Sequence, residues 1–251
     1  MQERGLSAYI AELIGTFLLV FFITSVVVLF VATGNQAQFG SDFAVVGLTQ
    51  GFLLFGLIIM FGIVSGGHFN PAVTLAAAVL RRIDPIDAVV YILAQLSGAV
   101  LGALLTKSLL LDEGRATHYG AATVSPLLSG NTAGAVVEAL GTFCLVLVIL
   151  VALLSKKTAK DWAPLALGAL AIGTTFVFLV MVGGPLTVAS YNPARWFGPA
   201  LVSNDWGGVW PYLVGPIVGS LLAVLVFRFV IEAGGTSSAA PPEKAKPSST
   251  S

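Results

Sequence analysis

The length, composition and charge of the chain exclude most soluble proteins. The 251 residues are 57% hydrophobic and 10% charged, whereas a soluble domain carries about 25% charged residues. So few charged side chains would leave large apolar patches in water, and the mean hydropathy of +0.95 agrees. Twelve basic and twelve acidic residues give no net charge, which argues against a nucleic-acid partner. The low charge and high hydropathy therefore predict an integral membrane protein. With one cysteine and two histidines, we expect no metal or cofactor.

Six apolar stretches are long enough to cross a bilayer, because a spanning helix needs about 20 residues. They are Ala8–Ala32, Phe43–Ile63, Ile86–Thr106, Ala133–Leu154, Trp162–Val182 and Val209–Val230. The first is too long for a signal-peptide core, so we interpret it as retained. The Gly-, Ser- and Pro-rich tail over 232–251 is predicted to be disordered. The fold class is therefore an all-α membrane protein.

The basic residues predict the orientation of the chain. Six spans place both termini on one face, together with the connections between spans two and three and between spans four and five. That face collects nine of the twelve basic residues, namely Arg4, Arg81, Arg82, Lys156, Lys157, Lys160, Arg228, Lys244 and Lys246. Because cytoplasmic loops are enriched in Lys and Arg, we predict cytoplasmic termini in a plasma or inner cell membrane.

The two halves of the chain carry the same motifs in the same order. Glu12 and Glu138 lie in matching segments 126 residues apart, and Asn-Pro-Ala tripeptides begin 122 residues apart at Asn70 and Asn192. This spacing indicates a duplicated unit of three spans. Since three is odd, the second copy is inverted, and a working site is expected near the midplane. The predicted division is a first repeat over 1–106, a connection over 107–132 and a second repeat over 133–231.

Each Asn-Pro-Ala tripeptide opens a short apolar stretch, Pro71–Leu80 or Pro193–Val202. A helix of about ten residues reaches about 15 Å, which is half of a hydrocarbon core of about 30 Å. We therefore predict two re-entrant half-helices, with Asn as N-cap and Pro at the first helical position. In inverted repeats the two N-termini can meet near the midplane, each carrying about +0.5 charge.

These motifs together resemble the aquaporin (major intrinsic protein) family. The resemblance covers about residues 7–231 and rests on two Asn-Pro-Ala boxes, the arginine after the second box and the paired glutamates of spans one and four. The boxes are Asn70, Pro71, Ala72 and Asn192, Pro193, Ala194. The resemblance implies six spanning helices and two half-helices in inverted repeats, assembled as a homotetramer in the lipid bilayer. Each protomer would hold a non-enzymatic channel for water and small neutral solutes that excludes protons and ions.

The resemblance also implies roles for single residues. Asn70 and Asn192 would cap their half-helices and point amide donors into the channel, and Glu12 and Glu138 would hold the re-entrant loops. Backbone carbonyls would line the pore at Gly66, Gly67, His68, Val188, Ala189 and Ser190. The selectivity filter would consist of Gln50, Val180, Ala189 and Arg195.

Three filter positions depart from the water-only pattern of the family. An aromatic residue is usual where Gln50 lies, a histidine where Val180 lies in water-selective members, and often a cysteine where Ala189 lies. The shorter side chains predict a wider filter that passes glycerol as well as water, unless the Gln50 amide crosses the lumen and narrows it. A strictly water-selective channel is the alternative.

Other interpretations of the same residues stay open at this point. The asparagines could be helix caps only, Arg195 could satisfy loop carbonyls, and Gln50 could bond a neighbouring helix. Glu12 and Glu138 could relay protons in a secondary transporter, since intramembrane acids are usually functional. A junctional protein with little conductance is a further possibility. Cys144 is predicted to be a small buried hydrophobe away from the pore.

Overall fold

The computed structural model describes residues 5–32, 41–154 and 162–233, and these ranges contain helices and no strand. The eight α-helices are α1 Leu6–Val27, α2 Ser41–Ser65, α3 Pro71–Val79, α4 Pro85–Leu109, α5 Asn131–Ile149, α6 Trp162–Thr187, α7 Pro193–Ser203 and α8 Val209–Val226. Six of them are long and apolar enough to cross a membrane, and α3 and α7 are much shorter. The predicted fold class is confirmed.

Short non-α segments complete the fold. Three π-helical segments continue α1, α5 and α8 over Val28–Ala32, Leu150–Leu154 and Phe227–Glu232, and a 3-10 segment covers Glu113–Gly120. The predicted tail therefore begins helically at Glu232, whose carboxylate lies 3.4 Å from Arg82. The rest of that tail, over 234–251, lies outside the described residues. So do six of the basic residues used for orientation, Arg4, Lys156, Lys157, Lys160, Lys244 and Lys246.

Several helix ends differ from the predicted ones for local reasons. Helix α4 begins at Pro85, because Asp84 Oδ1 accepts the backbone N–H of Ile86 at 2.9 Å and caps the helix. Helix α6 continues past the predicted end at Val182 to Thr187 although Pro185 lies inside it. Proline near a helix end removes only one hydrogen bond, so the apolar turn before it stays helical.

Small residues allow the long helices to approach closely. Helix α1 packs on α4, α5 on α8, and α2 on α6, which joins the two halves. A Cβ atom on Gly173 would lie 2.7 Å from the Gly51 carbonyl oxygen across the α2–α6 contact. A Cβ on Gly98 or Gly219, which occupy matching repeat positions, would overlap a carbonyl oxygen of the facing helix. Close backbone packing of this kind is typical of helices in membranes.

The chain direction defines two faces of the molecule. We call the face where α1 begins the terminal face, and the face where α4 ends and α5 begins the far face. Helix α3 runs from the centre towards the terminal face, and α7 runs from the centre towards the far face. The loops 66–70 and 188–192, which precede these half-helices, therefore meet inside the bundle.

Candidate functional site

The two asparagines cap the half-helices as predicted. Asn70 has an extended backbone, and its Oδ1 accepts the N–H of Ala72 at 2.9 Å. Asn192 has the same conformation, and its Oδ1 accepts the N–H of Ala194 at 2.9 Å and of Arg195 at 3.3 Å. Each half-helix thus begins with a side-chain cap followed by proline.

The same side chains also tie the two halves together. Asn70 Nδ2 donates to the Tyr191 carbonyl at 2.9 Å, and Asn192 Nδ2 donates to the Phe69 carbonyl at 2.9 Å. A side-chain amide nitrogen carries two hydrogens, so each asparagine keeps a second donor after this exchange. Both asparagines line the central cavity, where those donors are available to a solute.

The two loops share an unusual backbone. Three positions in each loop, 122 residues apart, have φ between 47° and 92°: Gly66 with Val188, Gly67 with Ala189, and Phe69 with Tyr191. Residues other than glycine rarely adopt this left-handed region and persist there only when the surroundings fix them. The second loop holds the shape without glycine, so strong anchoring contacts are required.

A buried carboxylate anchors each loop. Glu12 accepts the backbone N–H of His68 at 2.9 Å and of Phe69 at 2.7 Å, together with Ser65 Oγ at 2.7 Å and Gln95 Nε2 at 2.8 Å. The side chain is fully buried. Because all four groups donate to its oxygens, this geometry favours an anchoring role over proton relay.

Glu138 repeats this arrangement in the second half. It accepts the backbone N–H of Ser190 at 3.0 Å and of Tyr191 at 2.6 Å, and Thr187 Oγ1 at 2.6 Å. Glu138 is also fully buried. The carboxylates of spans one and four therefore hold equivalent backbone groups of the two loops.

Sequence reasoning missed the residues around these carboxylates. Ser65 and Thr187 are 122 residues apart, and Tyr91 and Tyr212 are 121 apart. Tyr91 Oη donates to the Ser65 carbonyl at 2.8 Å and Tyr212 Oη to the Thr187 carbonyl at 3.1 Å. Their recurrence at the repeat spacing was an available signal, as was the polar Gln95 within an apolar span.

A cavity lies where the loops meet, enclosed by side chains of α1, α2, α5 and α6. Its apolar wall includes Leu19, Ile23, Leu54, Ile58, Leu145, Ile149 and Phe176. Its polar wall includes Gly67, His68, Asn70, Ser190, Asn192 and Arg195. The structure thus brings six of the predicted pore residues to one cavity.

The other three predicted filter residues do not line that cavity. Gln50 lies one helical turn before Leu54, and Val180 one turn after Phe176, so both are displaced towards the far face. Gln50, Val180 and Ala189 are all fully buried. We therefore find them beyond the central cavity, on the side from which the second half-helix enters.

Two of the predicted filter residues carry buried polar atoms without a protein partner. Both amide atoms of Gln50, and Nε and Nη2 of Arg195, make no hydrogen bond within the described chain. Arg195 Nη1 donates to the Gly120 carbonyl at 3.1 Å. Nothing in the sequence of the connection 107–132 pointed to Gly120. Since buried polar groups are normally paired, the unpaired atoms of Gln50 and Arg195 are available to water or solute.

Comparisons with known proteins agree with this geometry. The sequence model of the family described as major intrinsic protein matches residues 2–227. The chain is 39% identical over 222 residues to glycerol uptake facilitator protein-like 6 of Lactiplantibacillus plantarum, covering 88% of this chain and 96% of that protein. It is 39% identical over 234 residues to aquaporin TIP4-4 of Zea mays, covering 91% and 88%.

A solved structure supports the fold. The aquaglyceroporin from Plasmodium falciparum is similar with a TM-score of 0.80 at 24% sequence identity, and the match covers 93% of this chain and 99% of that one. At that identity the likeness supports the arrangement of helices and half-helices alone.

Proposed function

Because this chain belongs to the major intrinsic protein family, whose members are channels rather than enzymes, we propose that it conducts glycerol as well as water. The chain is a multi-pass membrane channel for water and small neutral solutes. The observation that carries the glycerol proposal concerns the predicted filter residues: buried polar atoms of Gln50 and Arg195 have no protein partner in the described chain, and Val180 and Ala189 are small and fully buried.

Water would pass in single file through the space between the asparagines. A molecule that enters from one side exchanges hydrogen bonds with loop carbonyls, then accepts from the second N–H of Asn70 and Asn192. The positive ends of α3 and α7 point at the same place. Together with Arg195, they disfavour cations and protons electrostatically, which is the barrier already known for aquaporin-type pores in general.

Glycerol requires a filter with one apolar and one polar wall. Val180 and Ala189 supply the apolar wall, which contacts the carbon backbone. Arg195 and the Gln50 amide supply hydrogen bonds to hydroxyl groups, in the manner of sites that orient a ligand with a few polar groups. Relatives named as a glycerol uptake facilitator-like protein and as an aquaporin are equally similar in sequence, which suits a channel for both solutes.

A strictly water-selective channel is the second candidate. One observation favours it: the Gln50 amide has no protein partner in the described chain, so it is free to extend across the lumen. A secondary transporter receives less support, because Glu12 and Glu138 are engaged by donors on both oxygens.

The assembly and orientation also belong to this proposal. We propose a homotetramer in a plasma or inner cell membrane with cytoplasmic termini. Large apolar side chains are exposed along every spanning helix, which gives both lipid and neighbouring protomers a surface to cover. Of the basic residues that predict the orientation, Arg81, Arg82 and Arg228 lie on the terminal face of the described chain.

Proteoliposomes provide the test of solute choice. We expect the purified protein to accelerate both osmotic shrinkage and glycerol-driven reswelling relative to empty liposomes. Gln50→Ala is the informative variant, and Leu48→Ala, which removes an exposed side chain of the same helix, is its matched control. If glycerol-driven reswelling with the wild-type protein equals that of empty liposomes, and Gln50→Ala accelerates it, the water-selective alternative is established. Absence of accelerated shrinkage and reswelling would contradict the channel itself.

A further inference from the structure

A histidine–aspartate pair on the far face connects the loop that contacts Arg195 to the half-helix that carries Arg195. His118 Nδ1 contacts Asp205 Oδ2. His118 belongs to the 3-10 segment Glu113–Gly120, and Asp205 lies two residues after the end of α7. We propose that this pair positions Arg195 in the filter and makes conduction depend on the pH of the far side. The proposal rests on the filter role of Arg195 given above.

Two contacts join the same two segments. At the inner end, the Gly120 carbonyl accepts Arg195 Nη1 at 3.1 Å. At the outer end, two residues before Gly120, His118 contacts Asp205. Asp205 is itself fixed, because its N–H donates to the Ala200 carbonyl at 3.0 Å. The loop and α7 are thus fastened at both ends of the half-helix.

The backbone between the two contacts is unusual and depends on its surroundings. His118, Tyr119 and Gly120 all have left-handed φ, of 49°, 55° and 77°. Residues other than glycine, here His118 and Tyr119, keep this conformation only where neighbouring contacts impose it. A Cβ on Gly120 would lie 2.8 Å from Thr24 Cα, so the turn is pressed against α1. Loss of an outer contact is therefore transmitted to the Gly120 carbonyl.

His118 supplies the imidazole of the pair. Its side chain is 55% exposed and Asp205 is 21% exposed, so bulk protons reach the pair. An imidazole is the side chain whose charge ordinarily changes between about pH 5 and 8. When protonated, it both donates to the carboxylate and attracts it. When neutral, it loses the attraction.

Other charged groups surround the pair without replacing it. Helix α4 contributes Lys107, whose Nζ donates to the Val202 carbonyl at 3.1 Å and lies 5.1 Å from the Tyr119 ring centroid. Helix α7 contributes Arg195. The segment itself adds Glu113 and Arg115, and Arg115 forms an exposed pair at 3.6 Å with Asp112, the residue before the segment. The π-helical end of α1 that packs on the segment, Val28–Ala32, carries no titratable side chain.

The direction of the effect follows from Arg195. With the pair closed, the Gly120 carbonyl holds the guanidinium at the wall of the filter. With the pair open, the carbonyl withdraws and the guanidinium, which has no other protein acceptor in the described chain, moves into the lumen. Conduction is therefore higher at acid pH and lower at alkaline pH.

The test is water permeability of full-length protein in proteoliposomes between about pH 5.5 and 8.5, the range that brackets an imidazole. We expect wild-type permeability to fall by about two- to fivefold as pH rises, the factor that an exposed ion pair can impose. Asp205→Asn and His118→Asn should give low permeability at every pH. Asparagine is chosen at 118 because it tolerates left-handed φ. The double variant His118→Asp with Asp205→His should again show the fall in water permeability as pH rises.

The control is Arg115→Gln, which removes the neighbouring exposed pair and should keep the wild-type pH profile. A wild-type permeability that is above empty liposomes but equal across the pH range would overturn the proposal. So would His118→Asn or Asp205→Asn with an unchanged profile. These results differ from failure of the channel assignment, in which wild-type permeability would match empty liposomes at every pH. Where one asparagine variant does not yield folded protein, the other variant and the double variant decide.

Discussion

The two re-entrant loops have the same backbone and the same kind of carboxylate anchor, yet their surroundings differ. In the first half, Gln95 Nε2 bridges Glu12 at 2.8 Å and Thr74 Oγ1 at 2.9 Å. At the matching positions the second half has Pro216 and Trp196, neither of which can make this bridge.

Aromatic packing takes the place of that bridge in the second half. The Trp196 ring stacks on Tyr212, with centroids 6.3 Å apart and planes 11° apart, and Trp206 meets it edge-on at 5.9 Å. A polar network on one side and an aromatic stack on the other support loops of one shape. The carboxylate and the left-handed backbone thus determine the loop, while the residues behind it are free to diverge.

The pore itself shows a second difference between the halves. Arg195 occupies the repeat position that Val73 occupies in the first half, and both line the cavity. A fixed positive charge is therefore present on the far side of the centre. The matching position on the terminal side carries an apolar side chain instead. The charged residue thus occurs in one half only, whereas both halves have an anchoring carboxylate.

The largest expected effect comes from removing the shared anchors. Glu12→Ala and Glu138→Ala each leave two buried backbone N–H groups unpaired, at about 1–3 kcal/mol for each donor. We expect a loss of about 2–6 kcal/mol in the free energy of unfolding, larger for Glu12→Ala because Gln95 also loses its acceptor. Thermal unfolding in detergent measures it, with the exposed Glu113→Ala as control. Equal stability of wild type and either variant would show that the carboxylates do not hold the loops.

Two glycines, one in each half, test the comparison between the loops with a smaller expected loss of stability. A Cβ on Gly15 would overlap the Phe69 ring, and one on Gly141 would overlap the Tyr191 ring. Tyr191 is fixed by its Oη, which donates to the Leu179 carbonyl at 3.2 Å, whereas a phenylalanine has no hydroxyl to fix it. We expect Gly141→Ala to cost about 3 kcal/mol and Gly15→Ala about 1 kcal/mol, the ends of the range for overpacking.

The control for these variants is Gly56→Ala, where an added Cβ meets no atom within 4 Å. Alanine favours a helix over glycine by up to about 1 kcal/mol, so this variant should be neutral or stabilising. Unfolding midpoints of the three variants are compared in one detergent. If Gly15→Ala is the more damaging of the two, Tyr191 is not the more tightly fixed ring.

The fold was predictable because the membrane imposes length and capping rules on the sequence. Apolar stretches of about 20 residues have the length that a spanning helix needs, and a stretch of about ten residues after Asn-Pro is too short to span. The predictions for Asn70, Asn192, Glu12 and Glu138 rest on motifs that recur at the repeat spacing. Their capping and anchoring contacts are present in the structure.

The contacts between distant segments were not predictable in the same way. The Gly120 carbonyl that meets Arg195 is a backbone group in an irregular connection, so its residue type carries no signal. Gln95 approaches Glu12 from another helix, and its partner depends on how α1 packs on α4. The predicted end of α6 at Val182 was too early, because the helix continues through Pro185 to Thr187 and one missing N–H does not end it.

The charge difference between the halves predicts a change in ion rejection. Arg195→Val makes the second half resemble the first at this position, and it removes a fixed charge from a low-dielectric constriction. We expect water flow to persist while proton conductance rises about tenfold, which corresponds to a barrier lowered by about 1.4 kcal/mol. Planar-bilayer currents measure it, with Val73→Ala as the matched change that leaves ion rejection in place. Unchanged proton conductance would remove Arg195 from the barrier.

The smallest expected effect concerns mercury, which reacts with thiols. Cys144 is only partly buried and packs beside the core of the bundle, while its neighbour Leu145 lines the cavity. Successive helical residues point about 100° apart, so the Cys144 thiol is directed away from the lumen. Mercuric chloride should leave wild-type water flux unchanged, and Ala189→Cys should make it sensitive. Block of the wild type that disappears in Cys144→Ser would show that span four presents this thiol to the water path and that the pore lies on a different side of α5.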